Sequence, residues 1–351
     1  MTDKMRAVGM FPLFCHSPLT HSPAIKGDKG PASALYITEI SIPSPDPTDA
    51  IVKIKCFGLN RMDLLQREGR YPLPPQAPST LGVEFSGTIH KAAKDPQGES
   101  FKEGDEVFGL AYGGAYAEYI AVSEHMLMRK PKELSWEQAA GVPEVWITAT
   151  QAMYLVGEWA PGKTILWHAG ASSVSLAGIQ LAKADGAKAI YVTASGDDKI
   201  QMAKKMGATE GWSYKTDDWS KKVMEATDGK GVDVIVDFVG ATYFQGNLNC
   251  AAKDGRVVLL GLMGGVELPE KVNIMNLLLK RIRFEGSTLR SRDPEYQGKL
   301  RDHLVEHALG KFVDGTFQVP IEKVFSWEDV AKAHELMESN TIKGKIICRI
   351  D

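Results

Sequence analysis

From about residue 141, apolar runs of strand length alternate with helical segments, and few folds accept that pattern. Ile165–Trp167 leads into a predicted helix over Ser173–Asp185, and Ala189–Ala194 into one over Asp197–Met206. Val232–Phe238 (VDVIVDF) precedes a segment near Tyr243–Ala252, Arg256–Gly261 (RVVLLG) precedes Asn273–Lys280, and Ile282–Ser287 follows. Near-continuous apolar strands belong to a parallel sheet, whose helices cover both faces and leave no polar side to show. The alternation predicts a doubly wound α/β domain.

The flanks read differently. Ile51–Phe57 (IVKIKCF), Gly82–Ile89, Glu106–Leu110 and Ala115–Val122 are short and rich in aromatic and β-branched residues. Gly, Pro and Asp clusters separate them, which predicts a mostly β sheet or barrel over the first 140 residues. The loop Tyr71–Pro78 (YPLPPQAP) has too many prolines for a central strand or a helix interior. Phe11–Pro31 carries four prolines and reads as a surface loop. Near the C-terminus, a helix is expected at Trp327–Ser339 and a last strand at Gly344–Ile350.

Composition narrows the function classes. The 351 residues hold 41 basic and 44 acidic side chains, a net charge of −3 that argues against nucleic-acid or anionic-membrane binding. The four cysteines (Cys15, Cys56, Cys250, Cys348) form no C-x-x-C pair, and no N-x-[ST] acceptor occurs, so a reducing, cytoplasmic setting is expected. Thr164–Ala182 runs nineteen positions without Asp, Glu, Lys or Arg, but His168, its serines and its glycines favour a buried strand, turn and helix over a membrane span. Lys4 and Arg6 precede an apolar run that Pro12 breaks, without an A-x-A cleavage site, so no signal peptide is expected.

The turn after the first parallel strand reads His168-Ala-Gly170-Ala171-Ser172-Ser173-Val174-Ser175. A dinucleotide diphosphate would sit there, on free N–H groups at a helix start. Only Gly170 matches the G-x-G-x-x-G pattern, with Ser172 and Ser175 in the other two places, so an ordinary strand–turn–helix competes evenly with a ligand site. Serine there adds a Cβ, and also a hydroxyl able to donate to a phosphate.

The second strand ends at Ala194, followed by Ser195-Gly196-Asp197-Asp198-Lys199. An acid at that tip would bind the ribose 2′-OH of NAD; the neutral Ser195 with Lys199 beyond leaves room and charge for the 2′-phosphate of NADPH. Asp197 and Asp198 cut against this unless they serve the helix start. His303-Leu-Val-Glu306-His307 spells the inverted metalloprotease pattern without a third ligand, and a solvated helix face is the simpler reading. Cys15, His16 and His21 offer an equally unsupported metal clip. Asn60, Asp63, Gln66 and Tyr71 cluster beside the Pro-rich loop, where they serve either substrate orientation or loop capping.

Several stretches carry a resemblance: GLNRMDLLQREGRYPLPP (58–75), LGVEFSG (81–87), GGAYAEY (113–119), ITATQAM (147–153), HAGAS (168–172), GVDVIVDFVG (231–240), DGRVVLLGLMGG (254–265), STLRSRDPEY (287–296) and AHELMESNTIKGKI (333–346). In these, the chain resembles the zinc-independent quinone oxidoreductases of the medium-chain dehydrogenase/reductase superfamily. It is nearest the zeta-crystallin-like branch that includes the tumour-suppressor-inducible quinone oxidoreductase. The resemblance implies a GroES-like β-barrel catalytic domain from both chain ends (1–141 and 287–351), with a Rossmann NADP-binding domain (142–286) inserted. It also implies NADPH as cofactor, a quinone substrate, no zinc, and a homodimer. Where zinc-binding relatives carry Cys and His-Glu, this chain has Asn60 and Val83-Glu84, and the structural zinc lobe is absent.

The resemblance also implies roles. Tyr71 lines the quinone site and, with Asn60, is the catalytic candidate; Ser172 is a further substrate contact. Asn60 also lies near the nicotinamide, and Thr148 contacts the cofactor. Gly170, Ala171, Ser172, Ser173 and Val174 lie at the diphosphate; Ser195, Gly196, Lys199 and Tyr214 surround the 2′-phosphate. Gly261, Leu262, Met263, Leu289, Arg290 and Arg292 close over the cofactor. Relatives usually carry S-G-V-G where this chain has Ser172-Ser173-Val174-Ser175. The expected reaction is hydride transfer to a quinone across an interdomain cleft; enone reduction, or a non-enzymatic NADPH-binding role, is the alternative.

Overall fold

The computed structural model describes residues 4–10, 29–96 and 100–350. The chain divides into two compact units, Met1–Ile147 with Arg290–Asp351, and Thr148–Leu289.

The second unit is a six-stranded sheet. From one edge to the other its strands are Glu210–Ser213, Ala189–Ala194, Thr164–Trp167, Val232–Asp237, Ala251–Leu259 and Arg283–Gly286. All neighbours are parallel. In sequence order this is 3-2-1-4-5-6, so the winding reverses between Thr164–Trp167 and Val232–Asp237. Every residue of Thr164–Trp167 and Ala189–Ala194 is buried, which is why those strands read as continuous apolar runs. Helices Ser173–Ala184, Asp197–Met206, Trp219–Ala226, Phe244–Cys250 and Met275–Leu279 make the crossovers. The nineteen uncharged positions are thus one strand, one turn and most of one helix, and among the described residues no helix is long and apolar enough to cross a membrane.

The first unit is mostly β. Strands Ile321–Ser326, Lys345–Arg349, Asp49–Gly58, Glu84–Lys91, Glu106–Leu110 and Leu127–Arg129 follow one another in a sheet, with Tyr119–Ser123 also on Asp49–Gly58. The strand Lys345–Arg349 lies antiparallel to Asp49–Gly58, so segments from both stretches of this unit share one sheet. Lys4–Met10 and Leu35–Ser41 form a separate antiparallel pair.

Two elements differ from expectation. Of the run Ala115–Val122 only Tyr119 onward joins the large sheet; Tyr116 O and Glu118 N bond instead to Val8 and Arg6 of the N-terminal strand. Asn60 and Asp63 cap a real helix, Arg61–Arg67, rather than a loop: Asn60 N donates to Asp63 Oδ2 (2.8 Å). The metal clip of Cys15, His16 and His21 lies outside the described residues.

Helix Ser173–Ala184 packs on its own strand through Gly178, where a Cβ would overlap the ring of the fully buried Trp167. Alanine gains about 1 kcal/mol in helix propensity, but forcing atoms into a packed core costs about 1–3 kcal/mol, and indole cannot yield without moving the sheet. Gly178→Ala is therefore expected to be net destabilising, as a lowered urea midpoint with unchanged slope.

Candidate functional site

The turn His168–Ser175 sits at the carboxyl end of the central strand, beside the point of reversal. Gly170 passes against Val192, whose Cβ would lie 2.6 Å from any Cβ added at 170. Ala169 takes φ +49°, a left-handed bend that an L residue adopts at some cost. Ser172 caps the helix by accepting from Ser175 N (3.3 Å), and its hydroxyl donates to Ser175 Oγ (3.0 Å). The buried Ser175 in turn donates to His168 O (2.9 Å). The hydroxyl protons expected to serve a phosphate are therefore spent on the turn itself, and backbone N–H groups remain for an anion. Those of Ser173 and Val174 open a twelve-residue helix with no acid in its first turn.

A buried network holds this turn from below. His168 Nε2 meets Asn247 Oδ1 (2.7 Å), Asn247 Nδ2 donates to Asp237 Oδ2 (2.9 Å), and Asp237 Oδ1 accepts from Val239 N (2.6 Å) and Gly240 N (3.1 Å). Because the Asn247 amide nitrogen faces Asp237, its oxygen accepts from His168 Nε2–H, and Nδ1 accepts from Thr193 Oγ1 (2.8 Å). Burial lowers the His168 pKa, so the imidazole is neutral.

Other expected cofactor residues gather at the same edge of the sheet. Ser195 and Gly196 follow the Ala189–Ala194 strand, and Lys199 lies in the first turn of the next helix. Tyr214 N donates to Ala194 O (3.1 Å), which brings Tyr214 beside that strand tip. Asp197 and Asp198 occupy the first turn of Asp197–Met206, where carboxylates favour the helix start. Leu262 and Met263 stand exposed beyond Leu259 and Gly261, with Met263 N bonded to Phe238 O (3.1 Å). Thr148 lies in helix Pro143–Thr150, and Leu289 is buried.

The first unit holds a second cluster. Asn60, Tyr71 and Glu144 are partly buried and lie among Asp63, Glu84, Lys345 and Arg290, which are all buried. Asn60 Nδ2 donates to Glu84 Oε1 (2.9 Å), and Glu84 Oε2 accepts from Glu144 N (3.0 Å). Lys345 Nζ donates to Leu59 O (2.8 Å) and Asn60 Oδ1 (2.8 Å), and forms an ion pair with Glu84. Arg290, expected beside the cofactor, bonds within this unit through two of its nitrogens: Nε donates to Tyr112 O (2.7 Å), Nη1 to Gln66 Oε1 (2.8 Å), and its Cζ lies 5.4 Å from the Tyr71 ring centre. Arg292 O accepts from the Tyr112 hydroxyl (2.6 Å).

Burial dominates the electrostatics. It raises Glu144 to about 8, with the nearby Glu84 carboxylate adding to the shift. It raises Asp63 to about 6 against hydrogen bonds from Asn60 and Gly82 and the charge of Arg290. Burial also raises the Tyr71 phenol, helped by Glu144 and opposed by Arg290. At neutral pH, Glu144 and Tyr71 both hold protons. Glu144 and Lys345 escaped the sequence reading, since each lies far along the chain from Asn60.

Residues 46–132 match the alcohol dehydrogenase GroES-like domain, and 173–306 the zinc-binding dehydrogenase domain. The chain is 30% identical over 337 residues to a zinc-type alcohol dehydrogenase-like protein of Schizosaccharomyces pombe, covering 87% of this chain and 92% of that one. It is 30% identical over 312 residues to a quinone oxidoreductase of Pseudomonas aeruginosa, covering 86% and 91%. The solved quinone oxidoreductase of Pseudomonas syringae superposes with a TM-score of 0.81 at 28% identity, over 99% of this chain and all of that one. The chain belongs to the medium-chain dehydrogenase/reductase superfamily, with a GroES-like unit and a Rossmann-type unit. Its relatives place it among the zeta-crystallin-like quinone oxidoreductases of that superfamily.

This superfamily implies a nicotinamide cofactor, and the Gly170–Val174 turn, with the amides of Ser173 and Val174 at a helix start and no acid in its first turn, fits one. Zinc fits poorly. It takes four thiolate, imidazole or carboxylate ligands, whereas the matching positions offer an amide (Asn60), a valine (Val83) and one carboxylate (Glu84) already paired with an ammonium. Among the described residues no three His, Cys, Asp or Glu are placed to hold a metal ion. His303 and His307 do adjoin, with ring centres 4.1 Å apart, on the exposed face of one helical run.

Glu144 gives a signed pH effect. Between its ordinary 4.5 and its folded value of about 8, the native chain keeps a proton that the unfolded chain has lost. Stability therefore falls as pH rises through that window. In Glu144→Gln that contribution vanishes, while the smaller one of Asp63 remains. Urea unfolding at pH 5 and pH 8 is expected to show the variant keeping at least about 1 kcal/mol more of its pH 5 stability than the parent.

Proposed function

We propose that this chain is an NADPH-dependent quinone reductase that works without zinc. The observation that carries the reading is the Asn60–Glu84–Lys345 arrangement. A simple ketone needs a Lewis acid or a strong proton donor before it accepts hydride. A quinone is electrophilic already, so hydrogen bonds and alignment suffice, and alignment alone is worth roughly 7–11 kcal/mol.

When bound, the reduced nicotinamide supplies the hydride. Ala171, Ser173 and Val174 would hold the diphosphate through backbone amides, in a turn shaped by Gly170 and Ser172, whose own amides bond to Thr193 O and Ala169 O. Ser195, Gly196, Lys199 and Tyr214 receive the 2′-phosphate, where a carboxylate would have served NADH. Thr148, Gly261, Leu262, Met263 and Leu289 contact the rest of the cofactor. Asn60 and Tyr71 face the quinone oxygen, and the Tyr71 phenol, held protonated by burial, donates a hydrogen bond as oxyanion charge develops. Hydride plus one proton converts the quinone to hydroquinone.

The reading includes a cytoplasmic homodimer. Ile274, Leu278 and Leu279 are 61%, 79% and 59% exposed in the second unit, whose edge strand Arg283–Gly286 lacks an outer neighbour among the described residues. A second copy would cover this apolar surface.

Two measurements test the reading. NADPH oxidation at 340 nm with ortho- and para-quinones is expected to exceed that with α,β-unsaturated ketones; the reverse order moves the assignment to enone reduction, and failure to bind NADPH moves it to a non-enzymatic role. Lys199→Ala is expected to raise KM for NADPH about tenfold, the worth of one charge-assisted hydrogen bond, with little change for NADH. An equal effect on both cofactors would mean that Lys199 does not touch the 2′-phosphate.

A further inference from the structure

The ammonium of Lys345 stands between Asn60 and Glu84, the positions where, by the resemblance, zinc-binding relatives carry Cys and the Glu of His-Glu. Its side chain is 3% exposed and that of Glu84 is wholly buried. An ammonium has three N–H donors and no acceptor, and here all three are used: Leu59 O, Asn60 Oδ1 and the Glu84 carboxylate. The carboxylate is acceptor-only, so it faces the Asn60 nitrogen, while the ammonium faces the Asn60 oxygen. The two charges leave the amide one orientation. One Nδ2–H goes to Glu84, and the other meets no partner among the described residues. Asn60 is itself partly exposed.

We propose that Lys345 is a positioning residue: a tethered cation that takes the metal's place and locks the Asn60 amide, so that its remaining Nδ2–H is presented to the substrate oxygen. Lys345 touches neither substrate nor cofactor in this role. The proposal rests on the quinone-reductase reading for its substrate but not for its cation site, and the two are tested separately.

The test is chemical rescue. In Lys345→Ala the missing atoms match n-propylammonium in length and charge. Quinone turnover is expected to fall roughly 100-fold, the scale of a small misplacement at a reacting centre, with KM for NADPH nearly unchanged. Propylammonium is expected to restore at least a tenth of turnover saturably and to raise the melting temperature of the variant but not of the parent. 1-Propanol, of similar shape without charge, is expected to do neither. If Lys345→Ala does not fold, the doubly neutral Glu84→Gln/Lys345→Met variant carries the test, with the same loss of turnover expected in a folded protein. Near-parental turnover in that double variant, or rescue by propanol equal to that by propylammonium, overturns the proposal. An inactive parent protein counts against the quinone-reductase reading alone, because the melting shift of Lys345→Ala with propylammonium is read without substrate.

Discussion

The buried ion pair of Lys345 and Glu84 is the constraint on which the first unit turns. Removing two charges from water costs several kcal/mol for each ion, and attraction offsets this only when the remaining hydrogen-bonding capacity is also met. Here it is met. The ammonium is saturated by Leu59 O, Asn60 Oδ1 and Glu84, and the second carboxylate oxygen takes the amide of Glu144. None of these groups is near Lys345 in sequence. They converge only once Lys345–Arg349 has docked on Asp49–Gly58, so the chain's last strand completes a site begun almost 300 residues earlier. A half-docked strand would leave the Glu84 carboxylate buried and alone, which makes docking close to all-or-none.

The second unit solves a different problem, the serines at two glycine places of the G-x-G-x-x-G pattern. The close approach that does require glycine, against Val192, keeps Gly170. Ser172 and Ser175 point their hydroxyls inward, to each other and to His168 O, so the added atoms become part of the turn's support. The neutral His168, with Asn247 and Asp237 behind it, ties three adjacent strands together beneath that turn. The cost of the left-handed Ala169 is borne in a frame already fixed from below.

The parallel sheet was legible because burial on both faces writes itself as uninterrupted apolar runs: Ala189–Ala194 and Asp197–Met206 fall where the pattern predicts. Elements defined by partners were less so. Ala115–Glu118 has strand composition but bonds to the N-terminal strand, and Arg61–Arg67 is too short to show a helical period. The residues expected at the cofactor could be placed because they sit at strand ends, whose positions follow from the alternation. The buried polar cluster of the first unit was less legible. Asn60 and Tyr71 stand in one local stretch, whereas Glu144, Lys345 and the inward turn of Arg290 lie far from it; a lysine within an apolar strand, GKIICRI, is the one local mark.

The balance of charge in the first unit bears on what it can accept. Lys345 offsets Glu84, and Arg290 faces Asp63, whose value of about 6 leaves it ionised at neutral pH. Glu144, near 8, keeps its proton because a third anion among these groups would face Glu84 at close range in a poorly solvated place. The cluster therefore holds two positive and two negative charges and two proton-bearing groups, Glu144 and Tyr71. With no net charge in the cluster, an ionic substrate at the proposed site would gain nothing on entry to offset its lost hydration. On the quinone-reductase proposal, a flat, uncharged acceptor would lose little hydration there and would meet donors only at its oxygens. Reduction would add negative charge at those oxygens, where donor groups become worth more than they were to the neutral substrate. Such a site would favour the change in charge over the substrate itself, which is the condition for acceleration.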